Sequence, residues 1–300
     1  MGTARCLAVC ASLALAACAT APHPQGGDRA ADAKSPSSLR HGDDPTISLT
    51  TEIDPSIPSE FRRAIERAQI EGAALFREDR AAWIATDAVV ARGIVERNLS
   101  RASGWLATQL DPAGNEWNVA FTGSAEGRNF AYADVTIDFR AENPAASTRE
   151  NIPERDLSPI EEVLAVGRDG FRDKDWLRCS ASYNTSAQLF IDEGKEYVVI
   201  RMLPASVNAN VRPMGGFHRF RVPLADEAGV EHFAQTRSCL DDTSPAGAIF
   251  MMSLINSETP TEFDVFTSLS YQRPHYIATT AGAWAIEAGH IRWIGKSRAQ

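Results

Sequence analysis

The residues able to do chemistry in this chain gather between Trp176 and Asp242. Cys179 and Cys239 bracket the stretch, and Tyr183, Asn184, Arg201, His218 and Arg219 lie inside it. A histidine beside two arginines and a Tyr-Asn pair could form a hydrolase cleft, with the imidazole as base and Arg201 or Arg219 touching a ligand. A second reading of the same residues is structural. His218 alternates with Phe220 and Val222, which puts it on an apolar strand face as a hydrogen-bonded core residue. Arg201 sits in the run Tyr197 to Leu203, sharing a face with Val199 and Leu203, so its stem can lie along a sheet with the guanidinium paired or in water. Gly215-Gly216, just before His218, permits a bulge or a close backbone approach and keeps the cleft reading open.

Other catalytic signatures are missing from the sequence. No serine stands three residues before a lysine, and there is no Gly-x-Ser-x-Gly, His-Glu-x-x-His, Walker loop or Gly-x-Gly-x-x-Gly. His218, His232, His275 and His290 are scattered without metal-ligand spacing. No metal and no cofactor is therefore expected. The net charge of −9 without a basic run argues against nucleic acid as a partner, because phosphate binding needs clustered Lys and Arg.

The elements that must position these residues point to an α+β fold. A long amphipathic helix is expected from Phe61 through Ile65, Ala68, Gly72, Leu75 and Phe76 to Val90, with Ser59 as N-cap and a bend near Gly72 or Asp79. Arg62, Arg63, Glu66, Arg67, Glu71, Arg77, Glu78 and Arg80 would form its solvated face. The helix would pack on largely antiparallel sheet. Strands are expected at Trp105–Leu110 and Trp117–Phe121, across turn chemistry at Asp111 to Asn115, and at Phe130–Phe139. Residues 143–159 read as loop. A second helix opens mid-chain at Ser158-Pro159-Ile160-Glu161-Glu162, with Glu161 and Glu162 as dipole partners.

The C-terminal half is β-rich. Ser182–Ile191 and Tyr197–Leu203 should pair, followed by Phe217–Val222, Val230–Thr236, Ile249–Ile255, Phe263–Ser270, His275–Thr279, Trp284–Ile286 and Ile291–Ile294. The apolar run from Ala246 to Ile255 is too short for a bilayer and reads as a buried strand or short core helix. Residues 57–298 are read as one globular domain, with a division into sub-lobes at 57–175 and 176–298 left open.

The first residues are the most specific signal. Met1 to Arg5 is short and basic, and Cys6 to Ala17 is apolar or small, the layout of a secretory signal over 1–17. Leu15-Ala16-Ala17-Cys18 resembles the lipobox of bacterial lipoproteins. The resemblance implies cleavage before Cys18, lipid on its sulfur, and a membrane anchor facing the periplasm. Ala19 after it implies the outer rather than the inner membrane. Residues 18–56, rich in Pro, Gly, Ser, Asp and Ala, read as a disordered tether with a reach of about 35 Å. In that oxidising compartment Cys179 and Cys239 are the remaining cysteines, and a bond between them is favoured over two free thiols or a thiol nucleophile. It would contribute roughly 4 kcal/mol in the chain-entropy model. The functional expectation is a membrane-anchored envelope lipoprotein, non-catalytic, binding or structural, with an envelope protein or the cell wall as partner. The alternative is an envelope hydrolase with its cleft around His218.

Overall fold

The apolar stripe of the N-terminal half folds as α1 (Arg62–Ala91), an unbroken 30-residue helix that serves as the spine of the domain. The computed structural model describes residues 52–296 apart from 142, 172–174, 193–194, 207–210, 225–228 and 246–247. Cys18, the leader and all but the end of the tether lie outside the described residues.

Two expectations for α1 are corrected. Its N-cap is Phe61 rather than Ser59, whose hydroxyl bonds Glu60 in the preceding turn. Gly72 lies within the continuous helix. It brings α1 against a later helix so closely that a Cβ there would lie 2.5 Å from Val265 Cβ and 2.7 Å from the Glu262 carbonyl oxygen. The supposed solvated face is also partly inside: Glu71, Arg77 and Glu78 are all buried. A short helix, α2 (Ile94–Asn98), follows a left-handed turn at Gly93.

The first sheet is an antiparallel meander of β1 (Ala102–Gln109), β2 (Glu116–Ala125), β3 (Arg128–Asp138) and β4 (Ala145–Asp156). Trp117, Val119, Phe121, Val135 and Ile137 point to one face, as alternation predicts, and pack against Ala81, Ala85 and Val89 of α1. Full burial of such a side chain stabilises by about 1.5–3 kcal/mol. β4 corrects the expected loop at 143–159. Its residues are mostly polar and half-exposed, because it is an edge strand with little to bury, and hydrophobic alternation gave no signal.

Next comes α3 (Pro159–Gly170), as predicted. Ser158 caps it, accepting from the Glu161 N–H while the Glu161 carboxylate accepts from the Ser158 N–H, a capping box. Leu164 and Ala165 fill the space between the other face of the first sheet and the second sheet.

The second sheet has the order β5 (Tyr183–Asp192), β6 (Lys195–Pro204), β8 (His218–Pro223), β9 (Glu231–Ala234), antiparallel throughout. β7 (Arg212–Pro213) pairs with β10 (Asp241–Asp242) as a small ribbon. Val198, Ile200, Met202 and Phe220 join the core with Trp176 and α3.

The third sheet orders β11 (Phe250–Ser253), β12 (His275–Ala278), β13 (Ala283–Glu287) and β14 (His290–Gly295), with β11 and β12 parallel. β11 sits at an edge. Met252 and Leu254 are buried, but Ile249, Met251 and Ile255 are exposed, so the expected all-buried run is buried on one side only. The expected strand at Phe263–Ser270 is instead α4 (Glu262–Tyr271). Its residues from Glu262 to Leu269 are all buried, polar ones included, so it presents no solvated face, and at ten residues its Phe, Val and Thr content reads as a strand. α4 packs on α1 at Gly72, and Phe263, Val265 and Leu269 share a core with Leu75, Trp284 and Ile286.

Candidate functional site

The sequence-selected residues do not meet in one cleft; they fall into three neighbouring settings. Arg201 points from β6 into the layer between the second sheet, α1 and α4, and its side chain is wholly buried. Its guanidinium donates to Glu71 on α1 (2.6 Å), to Gln188 on β5 (3.0 Å) and to Glu262 on α4 (3.5 Å). Arg219, one strand over and in register with Arg201, donates to both oxygens of Glu262 at 2.7 and 2.8 Å. Burial pushes the Glu71 carboxyl up, but Arg201 and Arg67 outweigh it and hold the pKa below its usual value. Arg201 and Arg219, with the half-exposed Arg67, thus hold Glu71 and Glu262 as ionised partners in one charge cluster.

A third carboxyl in the same layer behaves differently. Glu78 is 1% exposed, and one of its oxygens accepts from Ser186 (2.7 Å) and Gln188 (2.6 Å). The other oxygen has no partner among the described residues. Burial raises its pKa to about 8, with the hydrogen bonds and Arg201 only partly opposing it, so Glu78 is mostly a neutral acid at neutral pH. Asp264 in α4 is a second such group. Burial lifts it to about 7, although it accepts from the Thr261 N–H and hydroxyl and from Gln235.

His218 lies on the opposite face of the second sheet, 1% exposed. Its Nε2 is 2.8 Å from the Leu177 carbonyl oxygen, which can only accept, so Nε2 carries the proton. Nδ1 then accepts from Nε2 of His232 at 2.9 Å. The Trp176 ring covers the imidazole at 4.8 Å between centroids, and Phe220 stacks on His232 at 4.5 Å. Burial, together with the His232 charge, lowers the His218 pKa to about 4. The imidazole is neutral and enclosed.

The third setting is the disulfide, against which Tyr183 stands beside Trp176, whereas Asn184, the next residue of β5, faces α1. The Tyr183 hydroxyl accepts from the Cys179 N–H at 2.6 Å, while Asn184 donates to Asp79 on α1 at 3.0 Å. Cys179 and Cys239 are bonded, with their Cα atoms 5.1 Å apart. Gly216 shows why a glycine stands there: its φ is +82°, and a Cβ would lie 2.5 Å from Cys179 Cβ.

An open concavity among the described residues lies elsewhere. A groove of about 360 Å³ lies on the first sheet beside the start of α3, lined by Thr108, Leu110, Asn118, Asp134, Arg149, Arg155, Ser158 and Glu161. Asp134 at its base accepts from Arg155, Arg149, Asn151 and Asn118. Those donors overcome burial and hold its carboxyl far below the usual range. Sequence reasoning did not select these residues, which come from four strands and a helix start. The acids Glu71 and Glu78 did leave a trace: they stand four before and three after the core residue Leu75, hence on its helix face.

Among the described residues, no group of three or more His, Cys, Asp or Glu is placed to hold a metal ion, and no helix is long and apolar enough to cross a membrane. Compared with protein families, curated proteins and solved structures, the chain has no significant match.

Proposed function

We propose that the chain is a lipoprotein anchored through Cys18 at the periplasmic side of a bacterial envelope, sorted to the outer membrane, whose α+β domain is a non-catalytic binding or structural module. The anchor rests on the resemblance of Leu15-Ala16-Ala17-Cys18 to a lipobox. The Cys179–Cys239 bond suits the oxidising compartment that export implies. The domain's role rests on one observation: the candidate catalytic groups are committed to internal partners. A general base needs a lone pair within reach of a substrate proton. The lone pair of His218 faces His232, and its N–H faces Leu177. A hydrolase centred on His218 would have to part that pair and displace Trp176.

The partner in this reading is an envelope protein or the cell wall. The test is affinity capture of the tagged full chain from detergent-solubilised envelopes, followed by rebinding of the captured component to purified protein. Specific recovery and rebinding are expected. Recovery no greater than with an unrelated tagged lipoprotein would remove the binding module.

A further inference from the structure

The two faces of the first sheet meet different surroundings. One is sealed by α1, whereas the face bearing Leu106 and Ala120 is covered by α3 and the second sheet over part of its area. Strand register carries that face onward through polar residues: Leu106, Ala120, Asp134 and Arg149 form one cross-strand row, and Thr108 and Asn118 begin the next. The groove lies where these rows emerge beside Ser158 and Glu161, at the capped start of α3.

We propose that this groove binds a neutral oligosaccharide, an assignment that deepens the binding-module reading and rests on it. Three features select that class. First, the lining carries two carboxylates, Asp134 and Glu161, and two guanidinium groups, Arg149 and Arg155, so it has no net formal charge with which to draw an anion. Second, Arg155 is spent on Asp134, Glu161 and the Asp156 carbonyl oxygen, and it fixes the wall. Arg149 is tied through one nitrogen only, to Asp134 at 3.0 Å, and its side chain is 70% exposed. Its other N–H groups are free to donate to ligand hydroxyls. Third, three lining groups keep hydrogen-bonding capacity beyond their internal bonds: the Thr108 hydroxyl donates to the Asn118 carbonyl oxygen at 3.5 Å and can still accept, Asn118 donates to Asp134 and can accept through its side-chain oxygen, and the Ser158 hydroxyl accepts from the Glu161 N–H and can donate, a mixture that matches ligand hydroxyls. Leu110 at the rim is 53% exposed and offers an apolar contact for the C–H face of a sugar ring. The volume lies in the range of small-ligand sites, about 300–1,000 Å³.

The test uses the full chain in detergent micelles, titrated calorimetrically with maltotetraose and with a β-1,4-linked N-acetylglucosamine tetramer. Saturable binding with Kd of about 1 mM or tighter is expected for at least one of them. It should weaken about tenfold in Arg149→Gln and measurably in Thr108→Val. Thr108→Val is nearly isosteric and reports on the groove even where loss of Arg149 disturbs Asp134. No binding of either sugar at about 10 mM, binding untouched by both substitutions, or preference for an anionic peptide overturns the assignment. Failed sugar binding with successful envelope capture overturns the groove alone; failure of both removes the binding module as well.

Discussion

Replacing Glu78 with glutamine should remove most of a pH dependence that this one side chain imposes on stability. In the folded protein its pKa is about 8, against an ordinary value of 4.5, because the carboxyl is enclosed between α1 and β5. A raised carboxyl pKa means that the folded state holds a proton which the unfolded chain has already released. Its contribution is therefore fully present below pH 4.5 and is lost as pH rises through 8. Over that window the loss approaches 3.5 units at 1.36 kcal/mol each, about 5 kcal/mol as an upper bound. Glutamine reproduces the neutral acid in shape. Its oxygen keeps the bonds from Ser186 and Gln188, and its amide replaces the oxygen that has no partner among the described residues. Urea unfolding at pH 5, 6, 7 and 8 should show wild type losing up to about 1.4 kcal/mol per pH unit relative to Glu78→Gln. Asp264 adds its own slope to both proteins, so the difference between them isolates Glu78. Parallel curves for the two proteins would refute the reasoning.

Other consequences follow from the same layer and its neighbours. Arg201→Met leaves Glu71 and Glu262 buried beside an apolar side chain, and should cost about 3–5 kcal/mol in urea unfolding. Gly72→Ala drives a methyl into Val265 and the Glu262 carbonyl, and should cost about 1–3 kcal/mol through separation of α1 from α4, read as a lowered Tm. The double substitution Cys179→Ser with Cys239→Ser should lower stability by about 2–4 kcal/mol, and a reductant should then have no further effect on the melting curve.

The legible parts of the fold were those with a face to show. α1 announced itself by its apolar stripe, and α3 by Ser158, Pro159 and Glu161 at its start. β5 and β6 stood out as long alternating strands around a turn. What failed was structure whose surroundings are uniform. α4 is buried all round, and its Phe, Val and Thr content resembles a strand. Thr261 with Asp264 three residues later was the local start signal. β4 failed for the opposite reason, since an exposed charged edge has no hydrophobic period. The charge cluster was half legible: a lone Arg201 in an apolar strand demands buried acids, but which acids depends on how α1 and α4 dock. The groove had no sequence signature, because Thr108, Asn118, Asp134 and Arg149 become neighbours only through register.

The anchor is the claim on which the placement of the domain at the envelope depends, and fatty-acid labelling of Cys18 tests it most directly. Cells expressing the full chain are grown with a labelled fatty acid and fractionated, in parallel with cells expressing Cys18→Ser. The account predicts labelled, membrane-bound protein in the first case, with both label and membrane association lost in the second. A Cys18→Ser protein that is still labelled and membrane-bound would contradict it.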